Sequence, residues 1–266
     1  MRPLIYDIGM FDGEDSRFYL HRGYRVVAVE ADPLTCATTV ERLREFVESG
    51  QLTVVNRAIA ASRGSVTFYR SANPDWGTIV DSWQRDNAAL GVPSQAITVE
   101  GITLADLVNE FGEAFYMKID IEGMDRRALE SLHASAVRPS YVSMETSLAR
   151  DPSFEAVKRE FEVMAGLGYD RFKIIDQQPL AARAGLKGSD RTGPSGHFGE
   201  ETPGRWLSQD EALAFFARLI RRKWIQVRLY PRIRAYKLYC GLIHRLTGRF
   251  PNLGWYDIHA KHCDVA

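Results

Sequence analysis

The first thirty residues constrain the fold more than any other stretch of the chain. Leu4-Ile5-Tyr6-Asp7-Ile8-Gly9 runs into Met10-Phe11-Asp12-Gly13, and Arg25-Val26-Val27-Ala28-Val29-Glu30 follows, ending on an acid just before Ala31-Asp32-Pro33. Two short apolar runs that end this way read as neighbouring parallel strands whose carboxyl ends share a crevice. The loop pattern is Asp-x-Gly-x-x-x-Gly, not the Gly-x-Gly-x-x-Gly of a dinucleotide fold. Its glycines let backbone approach a ligand, while Asp7 adds negative charge that would repel a pyrophosphate and favour a cationic group such as a sulfonium. Glu30 stands where an acid can accept both hydroxyls of a ribose. Either motif alone also fits an ordinary βα turn with a chance acid; in this order and at this spacing they point to a nucleoside site.

Strands and helices go on alternating. Cys36, Val40, Leu43, Phe46 and Val47 recur at helical spacing, with Gly50 placed to end the helix. Leu52 to Val55 is a short β-branched strand, and Ser65 to Tyr69 alternates as an extra strand. Ile97 to Val99 is another, followed by a helix from Thr103. Phe115 to Ile121 is apolar apart from Lys118 and Asp120, as in a strand buried on both faces. A helix over 125–132, a strand over Tyr141–Glu145, a helix marked by Phe154, Val157, Phe161 and Met164, and a strand at Phe172–Ile175 complete the series. This predicts an α/β fold with a doubly wound, mostly parallel sheet, over residues 1–180. Residues 181–211, rich in Gly and Pro, read as a lid or linker. Residues 212–266 read as a basic amphipathic helical extension, in which Leu213, Phe216, Ile220, Trp224 and Val227 share one helical face.

The second constellation is Lys118-Ile119-Asp120-Ile121-Glu122-Gly123. Acids at the carboxyl end of a buried strand lie in the ligand crevice of a doubly wound sheet. Lys118 inside that strand needs a partner, for which Asp120, Glu122 and Glu145 are candidates, and a purely structural Lys118–Glu145 pair is the competing reading. Asp120 or Glu122 could serve as a general base, with His197 on the Gly-rich segment and His259 as rivals. No compact motif points to a metal, although Asp120 and Glu145 would form a pair of hard oxygen donors.

Asp7-x-Gly9-x-x-x-Gly13, Val29-Glu30-Ala31-Asp32-Pro33, Asn56-Arg57-Ala58-Ile59 and Lys118-Ile119-Asp120-Ile121-Glu122-Gly123 together resemble the FkbM-type methyltransferases over residues 4–146. That resemblance implies the class I, S-adenosylmethionine-dependent fold: a seven-stranded sheet with one reversed strand. It implies methyl transfer, as O-methylation of a hydroxyl on a saccharide, glycolipid or secondary metabolite. Asp7, Gly9 and Gly13, with Met10, Phe11 and Asp12 between them, would hold the methionine end. Glu30 would hold the ribose beside Ala31 and Asp32, and Asn56 to Ala58 the adenine side. Asp120 would lie beside the transferring methyl, with Glu122 and Lys118 as further catalytic candidates. The loop from Asn73 to Thr78, with Trp76 and Gly77, resembles the variable loop of such enzymes, but Ile79, Val80 and Asp81 then replace the small hydroxyl residues common in the family.

Charge separates the two ends of the chain. The 34 Lys and Arg balance 34 Asp and Glu, but ten of the basic residues and no acid fall between Ala212 and Tyr256. A basic amphipathic segment of this kind suits solvated surface helices, or peripheral contact of residues 212–250 with an anionic membrane presenting a lipid-linked acceptor. Without an RNA-binding motif nucleic acid is not an expected partner, and RNA methylation stays a secondary alternative. Cys36, Cys240 and Cys263 are widely spaced, no apolar run nears the roughly 20 residues of a membrane span, and no signal pattern opens the chain, so the expected location is the cytosol. The remaining alternative is a non-catalytic nucleoside- or partner-binding protein on the same fold. The Gly9–Gly13 spacing disfavours a nicotinamide oxidoreductase.

Overall fold

The computed structural model describes residues 2–177, 196–229, 232–247 and 254–265. In chain order its strands are β1 (Leu4–Ile8), β2 (Arg25–Val29), β3 (Leu52–Val55), β4 (Ala58–Ile59), β5 (Gly64–Ser71), β6 (Ser94–Ile102), β7 (Tyr116–Ile119), β8 (Tyr141–Glu145), β9 (Tyr169–Asp176) and β10 (Tyr256–His262). Its helices are α1 (Glu14–His21), α2 (Pro33–Arg42), α3 (Arg44–Glu48), α4 (Asp81–Ala89), α5 (Leu104–Phe111), α6 (Asp125–Ser131), α7 (Phe154–Gly166), α8 (Gln209–Arg222), α9 (Trp224–Leu229) and α10 (Ile233–Thr247). Seven strands form one sheet in the order β3-β2-β1-β7-β8-β10-β9, parallel except for β10, which runs antiparallel to both neighbours. The chain reverses direction across the sheet between β1 and β7, and a crevice opens there beyond the carboxyl ends of the strands. Seven strands with one reversed is the sheet that the sequence resemblance implies. A separate sheet, β4-β6-β5, stands beside it.

Side-chain alternation explains the two layers. Leu4, Tyr6 and Ile8 of β1, Met117 and Ile119 of β7, and Val142 and Met144 of β8 pack in one core with α5, α6, α7 and α8. Ile5, Val26, Tyr116 and Tyr141 turn to the other face, against Phe18, Tyr19 and Leu20 of α1. That second face also carries polar residues in register across five strands: Asp7, Lys118, Ser143, His259 and Lys173. Tyr116 Oη and Ser143 Oγ lie 2.6 Å apart, and Lys173 donates to the carbonyls of Gly199 and Thr202. Local chemistry sets the helix starts: Asp32 caps α2 ahead of Pro33, Thr103 caps α5, and Ser208 with Glu211 forms a capping box on α8.

Two expectations need correction. Residues 212–266 are not wholly helical: Tyr256–His262 is the reversed strand of the main sheet. Its alternation carried that information, since Tyr256, Ile258 and Ala260 enter the core while Asp257, His259 and Lys261 point the other way. The helix expected from Cys36 to Val47 breaks at Leu43, whose side chain turns inward and packs against Gly13. The Gly-rich expectation falls partly on residues 181–195, outside the described residues. After them, Phe198 is buried and stacks on Tyr116 at 4.1 Å between ring centroids.

Because β10 joins β8 to β9, truncating a fully buried residue at its centre loosens the whole sheet. Ile258→Ala should lower the unfolding free energy by about 2–5 kcal/mol in a urea titration. A loss below about 0.5 kcal/mol, the range of an ordinary surface substitution, would show that the strand is not integral to the sheet.

Candidate active site

The loop after β1 is tightly determined. Gly9 has φ +91°, and a Cβ there would lie 1.9 Å from the carbonyl oxygen of Asp120, so only glycine lets the loops after β1 and β7 meet. The amides of Gly9 and Met10 both donate to the Val29 carbonyl. Phe11 takes φ +46°, unusual for a residue with a side chain, and is held by its amide donating to Glu30 Oε2 and its carbonyl accepting from Thr39 Oγ1. The other Glu30 oxygen accepts from the Asp32 amide. Asn56 donates to the Glu30 carbonyl, and Arg70 grips Asp32 through two hydrogen bonds of 2.6–2.7 Å. Glu30 thus draws the loops after β1 and β2 together. Burial raises its pKa against the lowering effect of the amides.

Beneath this loop lies a charged cluster. Lys118 is 6% exposed, and its ammonium sits 3.3 Å from Asp15 and 3.2 Å from Asp120. Burial opposes its charge, but Asp120, Asp15 and Asp7 together hold its pKa well above the ordinary value. Asp7 is fully buried and accepts a 2.6 Å hydrogen bond from Ser16. Burial, outweighing the Lys118 ammonium, pushes its pKa up to about 7.

The loop after β7 is strained in a similar way. Glu122 adopts φ +48°, its carbonyl is fixed by Thr78 Oγ1 at 2.7 Å, and Asp125 accepts from the amides of Ile121 and Gly123. Burial, reinforced by Asp120 and Asp125, pushes Glu122 up to about 8. Glu145 is raised well above the carboxylate range by burial and then by Asp120 and Glu122.

Two open hollows meet over these loops. One, about 680 Å³, is lined by Gly9, Phe11, Glu30, Ala31, Asp32, Ala58, Asp120 and Glu122, with apolar walls from Ile59, Phe68 and Ile79. The other, about 1240 Å³, shares Gly9, Phe11, Asp120 and Glu122 and adds Met10, Asp12, Lys118, Glu145, Trp76 and Trp255.

The Methyltransferase FkbM domain matches residues 7–171, which include every loop of this site up to Glu145. The chain belongs to the FkbM methyltransferase family. It is an S-adenosylmethionine-dependent methyltransferase. No curated protein matches the sequence. Among solved structures, the chain is similar to a methyltransferase of Thiobacillus denitrificans in complex with S-adenosyl-L-homocysteine, at 10% identity and TM-score 0.40, covering 98% of this chain and 85% of that one. It is likewise similar to a Geobacter sulfurreducens methyltransferase, also in complex with S-adenosyl-L-homocysteine, at 14% identity and TM-score 0.41, covering 98% and 85%. An O-methyltransferase from Bacillus cereus is similar at 16% identity and TM-score 0.39, covering 65% and 67%.

The first hollow suits the cofactor of this family. Glu30 could accept a ribose diol, Ile59, Phe68 and Ile79 could receive a flat base, and the carboxyl oxygens of Asp120 and Glu122 could face a sulfonium. Of the residues named from sequence, Gly9, Met10, Phe11, Asp12, Glu30, Ala31, Asp32, Ala58, Lys118, Asp120 and Glu122 line one hollow or both. Asp7, Gly13 and Asn56 line neither and act from behind: Asp7 on α1 and the Lys118 cluster, Gly13 against Thr39 and Leu43, and Asn56 on the Glu30 carbonyl. His197 lies outside both, its ring against Phe18 and its Nδ1 3.3 Å from Glu201. His259 is buried in the sheet, and burial followed by Lys173 lowers its pKa to about 3.

Sequence reasoning missed Asp15, Phe68, Arg70, Asp75 and Trp255. Asp15 had a readable signal, as an acid in the first turn of the helix that follows the Gly9 loop. Arg70 and Trp255 had none, because they arrive from the second sheet and from the distant carboxyl-terminal segment.

Calorimetric titration tests the assignment. Wild type should bind S-adenosylhomocysteine, and Glu30→Ala and Gly9→Ala should each weaken it at least about 10-fold, a loss of about 1.4 kcal/mol or more. Unchanged affinity in both variants would place the cofactor elsewhere.

Proposed function

We propose that the protein methylates a hydroxyl of a saccharide, glycolipid or secondary metabolite. The observation that carries this reading is Glu122. Its carboxyl is pushed up to about 8 and lines both the cofactor hollow and the larger cavity beside it. S-adenosylmethionine supplies an already activated methyl group, so what remains for the protein is positioning and removal of one proton. A carboxylate that ionises near neutral pH suits that proton transfer. Asp120, paired with Lys118 at 3.2 Å, lies in the crevice next to it.

The larger cavity favours an uncharged, hydroxyl-rich acceptor. It carries seven carboxyl groups (Asp12, Glu14, Asp15, Asp75, Asp120, Glu122 and Glu145) beside Lys118; burial raises the pKa of Glu122 and Glu145, so the wall offers a hydroxyl both donors and acceptors while its acidic lining disfavours anions. Trp76 and Trp255 add flat apolar walls against which a saccharide ring can lie. A third hollow of about 740 Å³, lined by Trp83, Arg127 and Arg159, shares Glu145 with it and leaves room for a longer acceptor.

With limiting cofactor, the rate of transfer to a neutral glycoside should rise with pH through about 8 as Glu122 loses its proton. Glu122→Gln should remove that limb and lower kcat about 10²- to 10⁴-fold. Mass spectrometry of the product distinguishes an ether from an N-methyl amine. Transfer to amines alone, or a Glu122→Gln variant with unchanged kcat and pH profile, would overturn the reading.

A further inference from the structure

Helix α10 is apolar on two sides. Tyr236, Tyr239, Cys240 and Ile243 are partly covered, which accounts for one of them. Leu238, Leu242 and Leu246 are 76%, 58% and 73% exposed, and their spacing of four residues lines them along the helix for roughly 12 Å. Beside this stripe stand exposed Arg234, Lys237 and Arg245. The preceding helix α9 exposes Trp224 at 55%.

We infer that this face of α10 lies on an anionic lipid surface. Aligned leucines flanked by cations form the two-part pattern of a helix that rests in a membrane interface: apolar side chains enter the acyl boundary while Arg and Lys meet the headgroup phosphates. Charge selects this occupant over the others. From Ala212 to Tyr256 the chain has ten basic residues and no acidic one, so a second copy docked through the same stripe would bring two cationic faces together. RNA would satisfy the cations but leaves the leucines without a role.

The location gives the contact a use. Lys237 Nζ donates to the Ala89 carbonyl at the end of α4, the helix whose Trp83 walls the third hollow. Beyond α10 the chain returns to Trp255, which lines the acidic cavity. The helix that meets the lipid is therefore tethered beside the cavities assigned to the acceptor, where it would present them to a membrane-resident molecule. Surface binding itself does not depend on which acceptor is methylated.

Co-sedimentation of the full chain with vesicles tests this directly, with the thermal melt of each variant as a fold control. Wild type should bind phosphatidylcholine vesicles containing phosphatidylglycerol at least about 10-fold more tightly than phosphatidylcholine alone, and added salt should weaken binding. Leu238→Glu/Leu242→Glu should lower binding at least about 10-fold without shifting the melt. Arg234→Gln/Arg245→Gln should narrow the preference for phosphatidylglycerol. Absence of wild-type binding to either vesicle, or binding that the leucine variant leaves unchanged, would overturn the inference. A dimer that the leucine variant dissociates, or retention on RNA in place of vesicles, would overturn it equally.

Discussion

The site depends on one buried cation. Lys118 sits in a central strand with Asp7 beside it in register, and it pairs with Asp15 from α1 and Asp120 from the loop that follows its own strand. A lone ammonium in that position would cost several kcal/mol in lost hydration. Three carboxylates offset the loss, and they come from three separate segments. The pairing therefore works as a positional device: it fixes the first turn of α1, the end of β1 and the end of β7 relative to one another beneath the cofactor hollow. The Gly9 contact with Asp120 closes the same junction from above.

From that junction the functional asymmetry follows. Carboxyl groups concentrate around the larger cavity, and burial combined with mutual repulsion drives Glu122 and Glu145 upward in pKa, while Asp120 keeps a cationic neighbour. The positive φ values of Phe11 and Glu122 mark strain at the two loops that line both hollows, each held by specific hydrogen bonds. Towards the other end of the sequence, arginine and lysine gather in the segment that holds α8, α9 and α10, of which α8 packs into the core. The chain as a whole is neutral; its ends are not.

Much of this was legible in the sequence, for a local reason. The Gly9 loop, Glu30 and the Lys118–Gly123 segment each combine a short apolar strand with polar groups at its carboxyl end, and in a doubly wound sheet such ends meet whatever the intervening helices do. Asp7 lies behind the hollows, not in their walls: a carboxylate at the end of a strand can face the ligand or the helix behind it, and alternation along β1 turns Asp7 towards Ser16. Lys118 plainly needed a partner, and Asp15 was readable as an acid in the first turn of α1, but that it is this partner follows only from the packing of α1 against the sheet. The reversed strand went unread because a basic helical pattern runs up to it, although Tyr256, Ile258 and Ala260 alternate as a strand should. Trp255 and Arg70 reach the site only through long-range topology, which periodicity does not encode.

A double-mutant cycle between Lys118 and Asp15, read by urea unfolding, measures whether this buried pair holds the junction together. Lys118→Met alone should cost about 3–5 kcal/mol, because it leaves buried carboxylates uncompensated. Adding Asp15→Asn should recover part of that loss, giving a coupling energy of at least about 1 kcal/mol. Losses that add within about 0.5 kcal/mol would show that the two groups do not act together, and that the junction beneath the cofactor hollow is held by something else.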